Sequence, residues 1–372
     1  MSSPTETLPF RYMTFNLCNI PQMDKDNSYN GLRFNERLRK IVEIIRIFSP
    51  DAIGFQEVRD YSGGTAIADL WQRLVPLGYR LESQEASPHE FAVYNTIAYK
   101  SAKLWPKKVI SWWNSSTPSE VSCSYGNGWP RAVLAIEFVP IKQTQVHQKK
   151  QGSGEVTSFS RAGPDYSSPS LLLVNSHLGI GTSHPKERLF SNQTTLEKIR
   201  QIVGSNPMFV VSLGDFNSFP DGEFYKDEMH AYKSNEFIDA VTASPLKNQD
   251  GIPISGTFIG YSPDKFKCPN ERFADSLEHI FYRVFNQDNN WSISVNKCFA
   301  STLTTDQELD RRKIQSEQDL LIAPDTSPLR DKYPSDHLPV ILDFQLNRKQ
   351  AIPKTKHSTQ LTQWSTGLLL LH

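Results

Sequence analysis

Five apolar runs in this chain end or begin on a carboxylate, an amide or an imidazole, and that repetition constrains the fold more than any other feature. Asn16 follows Met13-Thr14-Phe15, and Gln56-Glu57 follow Ile53-Gly54-Phe55. Asn175, Ser176 and His177 follow Leu171-Leu172-Leu173-Val174. Asp215 and Asn217 come just after Val210-Val211-Ser212-Leu213-Gly214, and Asp336-His337 precede Leu338-Pro339-Val340-Ile341-Leu342. A buried carboxylate without a partner costs several kcal/mol, so it normally has a hydrogen-bond donor, a cation or a metal beside it. Taken singly, each position has a plain reading. A glutamate after a strand is usually a surface residue, Gly214-Asp215-Phe216-Asn217 suits a turn, Ser335-Asp336-His337 suits a cap or turn, and a lone His177 suits a structural role. Five such ends in one chain point instead to a single site assembled from many loops.

The periodicity between these points is that of an α/β chain. Strands are expected at Arg11–Leu17, Ala52–Phe55, Tyr94–Tyr99, Val109–Trp113, Arg131–Val139, Ser170–Ser176, Pro207–Leu213, Leu277–Phe285, Trp291–Phe299 and Val340–Leu346. Leu38, Ile41, Val42, Ile45 and Phe48 repeat at three- and four-residue spacing, which predicts a helix over Phe34–Phe48. Ser49-Pro50-Asp51 ends it, because proline disfavours helix at the residue before it. Further helices are expected at Thr65–Val75 and Glu187–Val203. Residues 142–169 are rich in Gln, Lys, Gly and Ser and read as a mobile loop between two strong strands. Residues 302–333 are charged and polar, with room for a short helix, and no internal repeat of fixed period is visible.

Composition removes several classes. Lys plus Arg number 40 and Asp plus Glu number 40, so the net charge is zero and no general attraction for polyanions is expected. Any charge that receives an anion must therefore be local. No run approaches the ~18 apolar residues of a membrane span. Met1–Pro9 is polar, which leads us to expect a cytoplasmic protein, or one exported without a conventional signal peptide. Cys18, Cys123, Cys268 and Cys298 form neither a CxxC pair nor a Cys/His cluster, so no structural zinc site or disulfide framework is expected. Oxygen ligands without cysteine suit a hard cation, Mg²⁺ or Mn²⁺, which keeps waters and substrate phosphate among its ligands. Glu57 is the natural first ligand with Asn16 beside it, His177 and His337 are candidate donors to phosphate oxygens, and Asp215 is a candidate for positioning and deprotonating an attacking water.

The segments Thr14-Phe15-Asn16, Gly54-Phe55-Gln56-Glu57-Val58, Asn175-Ser176-His177-Leu178, Gly214-Asp215-Phe216-Asn217-Ser218 and Pro334-Ser335-Asp336-His337-Leu338-Pro339-Val340 resemble, in order, those of the endonuclease/exonuclease/phosphatase superfamily. The stretches between them, Val93–Tyr99, Trp113–Pro118, Trp129-Pro130-Arg131-Ala132 and Gly256–Tyr261, resemble its compact bacterial-type branch. The resemblance implies a four-layer α/β sandwich, with two packed, mostly antiparallel sheets flanked by helices and the site at one end. It implies a catalytic domain over residues 10–346, an extension over 1–9 and a tail over 347–372. It places Asn16, Glu57 and Asp336 on the metal side, and His177, Asp215, Asn217, Asp336 and His337 in catalysis. Asn95 and Arg131 line the substrate pocket. One departure stands out: the family's usual aspartate beside the last histidine is Glu278 here, in Ser276-Leu277-Glu278-His279-Ile280-Phe281. The implied activity is metal-dependent hydrolysis of a phosphoester, a phosphodiester first, by direct attack of water. The substrate could be a nucleic acid, a lipid headgroup or a small molecule, acted on by a monomer. A silent binding module of the same fold is the non-enzyme alternative.

Overall fold

Alternation along single strands decides the layers, because successive side chains of a strand point to opposite faces. In β1 (Thr7–Asn16) Phe10 and Tyr12 enter one core while Met13 and Phe15 enter another. The same split recurs in β9 (Met208–Asp215), where Phe209, Val211 and Leu213 join Phe10 and Tyr12 but Met208 and Val210 do not. The first core therefore lies between two sheets, and the other two lie on their outer faces. These relations come from a computed structural model that describes residues 6–18, 34–60, 66–87, 92–123, 129–149, 155–180, 185–218, 225–243, 245–251, 254, 256–258, 277–287, 290–301 and 335–349.

The remaining elements are α1 (Phe34–Phe48), β2 (Ala52–Asp60), α2 (Ala66–Leu74), a single 3₁₀ turn (Val75–Leu77), β3 (Tyr79–Ser87), β4 (Ala92–Lys100), β5 (Leu104–Trp113), β6 (Ala132–Lys149), β7 (Glu155–Pro164), β8 (Ser170–His177), α3 (Pro185–Val203), α4 (Tyr225–Lys233), β10 (Ile238–Asp239), β11 (Glu278–Phe285), β12 (Trp291–Ala300) and β13 (Val340–Arg348). One sheet runs β12-β13-β1-β2-β4-β3 and the other β10-β11-β9-β8-β6-β5, with β7 paired to β6. Each sheet has one parallel pair at its centre, β1–β2 or β8–β9, and antiparallel pairs on both sides. The parallel pairs follow from the connections, since α1 and α3 are the crossovers that parallel neighbours need. Helices α1 and α2 cover the outer face of the first sheet through Leu38, Ile41, Ile45 and Leu70. Helices α3 and α4 cover the second through Leu196, Ile199, Val203 and Tyr232. The fold is thus the expected four-layer α/β sandwich.

Several expectations change in detail. Residues 143–149 and 155–162 belong to an antiparallel ribbon rather than a loop, with Lys149 opposite Glu155 and Ile141 opposite Pro164. Its sequence carries no apolar period because a ribbon hydrogen-bonded through its backbone needs none. Strand β3 has no sustained apolar alternation to announce it: Arg80, Glu82, Ser83, Gln84 and Glu85 occupy a sheet edge, where polar residues are tolerated. The strand begun at Arg11 starts at Thr7, opposite Asn347, so residues 7–9 and 347–348 belong to the sheet rather than to extensions. The expected helix within 302–333 and the tail from 350 onward lie outside the described residues.

Two glycines mark close approaches, one between the sheets and one between neighbouring strands. A Cβ on Gly54 would come 2.3 Å from Leu213 Cδ1 and 2.9 Å from Asn175 Oδ1, both in the opposing sheet. Gly214 has φ +148°, and a Cβ there would sit 1.9 Å from the Ser176 carbonyl oxygen on the neighbouring strand. That obstacle is backbone, so it cannot swing away. Gly214→Ala is expected to lower the unfolding free energy by about 3 kcal/mol or more, read from urea titration. An unchanged midpoint would show that β8 and β9 can part locally at no cost.

Candidate active site

The C-terminal ends of the four parallel strands meet at one end of the sandwich. Asn16 ends β1, Glu57 lies near the end of β2, and His177 and Asp215 are paired residues at the ends of β8 and β9. The first residue of β11, Glu278, pairs with Asp215 from the other side, and Ser335-Asp336-His337 lead into β13. All of these side chains are buried. The intersheet core becomes polar just beneath them. Gln56 Nε2 donates to Asn175 Oδ1 at 2.7 Å, and Asn175 Nδ2 donates across the sandwich to the carbonyls of Phe55 (2.8 Å) and Thr96 (3.0 Å). This floor ties the two sheets together under the site, and each of these groups has a partner.

Glu57 reaches the site through a bulge. Phe55 pairs with Thr96 and Val58 with Tyr94, so Gln56 and Glu57 together face Asn95. An extra residue of this kind bends a strand and re-aims a side chain. Glu57 also has φ +58°, as Asn217 has +50° and Cys18 +46°, so three of the six positive-φ non-glycine residues among those described lie here. Such backbone costs of order 1–3 kcal/mol per residue and tends to persist where the surroundings hold it.

Asn16 Nδ2 donates to Asp215 Oδ2 at 2.8 Å and to Glu57 Oε1 at 3.3 Å, while its Oδ1 accepts from the Cys18 amide at 2.9 Å. Asp215 Oδ1 accepts from the Asn217 amide at 2.9 Å, and Asn217 Nδ2 donates to the Leu178 carbonyl at 3.1 Å. Asn217 therefore shapes the turn that holds Asp215 and joins the loops after β8 and β9. Burial pushes Asp215 up to about 7, with Glu278 adding to the rise and His337, Asn16 and the Asn217 amide opposing it.

The two histidines are set up differently. His337 Nδ1 hydrogen-bonds to Glu278 Oε1, and Thr257 Oγ1 donates to Glu278 Oε2. Burial opposes charge on His337, yet Glu278, Asp336 and Asp215 outweigh it and raise its pKa well above the ordinary value. That direction favours the imidazolium, whose Nε2 lies 3.9 Å from Asp215 Oδ2 and 3.7 Å from Asp336 Oδ1. For His177 the direction is the reverse: burial lowers its pKa well below the ordinary value, and Arg131, His337 and Arg59 add to the effect, which favours the neutral ring. Its Nε2 lies 3.6 Å from Asp215 Oδ2 and 3.9 Å from Glu57 Oε1.

Two carboxylate oxygens here, Glu57 Oε2 and Asp336 Oδ2, are buried without a hydrogen-bond partner among the described residues. Such atoms fit a hard cation, which needs oxygen ligands and no donor. A second grouping, Asp215, Glu278 and His337, offers ligand atoms within 4.8 Å of one another and could also hold an ion. There, however, Glu278 and His337 are bonded to each other, and Asp215 already accepts from Asn16 and Asn217. The unpartnered oxygens of Glu57 and Asp336 belong to residues outside that grouping.

No protein-family profile and no curated protein sequence matches the chain. Solved structures do. An endonuclease/exonuclease/phosphatase family protein from Bacteroides thetaiotaomicron superposes with a TM-score of 0.60 at 18% identity, covering 91% of this chain and 98% of the other. A mannosyl-6-phosphatase from the same organism gives 0.59 at 17%, covering 90% and 99%. The human Nocturnin catalytic domain gives 0.54 at 18%, covering 91% and 97%. This chain has the endonuclease/exonuclease/phosphatase fold. Within that fold, Asn16, Glu57, His177, Asp215, Asn217, Glu278, Asp336 and His337 converge at one end of the sandwich. Arg131 joins them through His177, its Nη1 lying 3.1 Å from Nδ1. Asn95 Nδ2 donates to the Ala132 carbonyl at 2.6 Å and clamps β4 to β6. Thr257 is the residue that sequence reasoning passed over. It lies in the Gly256–Tyr261 stretch, yet nothing in that stretch signals that its hydroxyl holds Glu278.

Proposed function

We propose that the chain is a divalent-metal-dependent phosphoesterase that hydrolyses its substrate by direct attack of water, with phosphodiesters as the first class to test. The observation that carries this reading is the pairing of two unpartnered buried carboxylate oxygens, on Glu57 and Asp336, with two imidazole Nε2 atoms that flank Asp215 Oδ2. The names of proteins sharing the fold support it, since they include a mannosyl-6-phosphatase and a 2′,3′-cyclic phosphatase. Glu57 and Asp336, with Asn16 supporting Glu57, would hold Mg²⁺ or Mn²⁺. When bound, that ion would polarise the phosphoryl group and stabilise the leaving oxygen. Asp215 orients a water and takes its proton, while Asn16 and the Asn217 amide hold the carboxylate in place. His337 Nε2–H⁺ and His177 Nε2–H donate to phosphoryl oxygens, where charge builds in the transition state. Arg131 adds positive charge at the rim.

The deciding experiment is a screen with Mg²⁺ and Mn²⁺ against DNA, RNA, phosphoinositides, sphingomyelin, sugar phosphates and aryl phosphodiesters, each repeated in EDTA. Turnover is expected with at least one class and should vanish in EDTA. Undiminished turnover in EDTA would sink the metal-dependent reading. No turnover, together with no Mg²⁺ or Mn²⁺ binding by calorimetry, would leave the binding-module alternative standing.

A further inference from the structure

We propose that Arg131 is a positioning residue that locks His177 in the tautomer carrying its only ring proton on Nε2. The consequence for turnover rests on the phosphoesterase reading, but the tautomer itself does not. Strands β6 and β8 run antiparallel with Leu134 opposite Asn175. Carried past the paired residues, that register brings Ala132 beside His177, and Arg131 immediately precedes it. Arg131 Nη1 lies 3.1 Å from His177 Nδ1. A guanidinium carries five N–H donors and no acceptor. The contact is a hydrogen bond only if Nδ1 accepts, so Nδ1 bears no proton. An imidazolium, or the Nδ1–H tautomer, would aim one N–H at another in a buried place.

The proton is therefore on Nε2, and the surroundings of that atom give this its meaning. Nε2 is buried and has no hydrogen-bond partner among the described residues. The neighbouring carboxylate oxygens, Asp215 Oδ2 at 3.6 Å and Glu57 Oε1 at 3.9 Å, stand too far off to accept it. His177 thus points a free N–H into the space between the two carboxylates, where an anionic phosphoryl oxygen would be an acceptor. The opposite tautomer would aim a lone pair at that oxygen and repel it. The histidine across the site reverses the arrangement: His337 Nδ1 faces the Glu278 carboxylate, so there the partner accepts. One imidazole is oriented by a donor and the other by an acceptor, which makes Arg131 and Glu278 non-interchangeable.

Tautomers are read directly by two-bond ¹H–¹⁵N correlation spectra of protein labelled at histidine, recorded without substrate in EDTA and again in Mg²⁺. The chain has nine histidines, and a His177→Gln sample assigns the signal by difference. In the wild type, His177 should show a protonated Nε2 and an unprotonated, hydrogen-bonded Nδ1. Arg131→Lys, whose ammonium also only donates, should keep that pattern. Arg131→Met should lose it, giving a mixture of tautomers or the Nδ1–H form. If the screen yields a substrate, Arg131→Met should lose about 10²–10³-fold in kcat, as removal of one aligned donor does, and Arg131→Lys should recover much of it. A wild-type His177 protonated at Nδ1 would overturn the proposal, as would an Arg131→Met spectrum identical to wild type. Because the spectra need no turnover, a protein silent on every phosphoester would still decide the tautomer. A misfolded methionine variant would leave the wild-type and lysine spectra to decide it.

Discussion

Asp215→Asn is expected to lower turnover by about 10²–10⁴-fold, the range in which a positioned general base contributes. The change is nearly isosteric, so the space is kept and only the chemistry changes. An amide cannot accept a proton from water at neutral pH. It also cannot satisfy both neighbours, because both Asp215 oxygens accept from N–H groups, Asn16 Nδ2 at 2.8 Å and the Asn217 amide at 2.9 Å. Whichever way the new amide turns, its NH₂ faces one of these donors. A stability loss of about 1–3 kcal/mol should accompany the loss of activity. Measured at saturating metal, kcat should fall while the far-ultraviolet spectrum stays that of the wild type. A variant within tenfold of wild-type kcat would remove Asp215 from the role of base.

The site was far more legible than its wiring. Asn16, Glu57, His177, Asp215 and Asp336-His337 stood out because each interrupts an apolar run, and a chain can read that without knowing its fold. The pairings among them are a property of strand order. Asn16 meets Asp215 because β1 and β9 face one another across the sandwich, a relation 199 residues long in sequence. Arg131 meets His177 because β6 and β8 are neighbours, which the pattern Trp129-Pro130-Arg131 does not announce. The bulge that turns Glu57 inward is likewise silent: Gln56-Glu57 reads as an ordinary strand end until the pairing with β4 puts both residues opposite Asn95. Apolar alternation reveals most strands that carry a core face but not β3, whose buried Tyr79 and Ala86 are separated by mostly polar residues at a sheet edge, nor the β6–β7 ribbon, which is paired through its backbone.

Glu278→Gln separates charge from shape at the last histidine. Glu278 is fully buried, with Oε1 on His337 Nδ1 and Oε2 receiving the Thr257 hydroxyl. Glutamine can keep both contacts: its carbonyl oxygen accepts from His337, and its NH₂ donates to a Thr257 hydroxyl that rotates to receive it. What it removes is the negative charge that does most to hold His337 as an imidazolium against the cost of burial. The expected result is a folded protein, with its melting temperature changed by a few degrees, and a kcat lower by about 10²–10⁴-fold, since the donor at Nε2 is lost with the charge. Glu278→Asp tests the other half. It keeps the charge but draws the carboxylate back by one methylene, so a deficit smaller than that of glutamine is expected if charge dominates. Should aspartate prove the more damaging variant, reach rather than charge would be what Glu278 contributes, and the extra methylene would be a fitted part of this site. Should neither variant lose tenfold, His337 would not depend on this carboxylate, and its role as the charged donor would have to be abandoned.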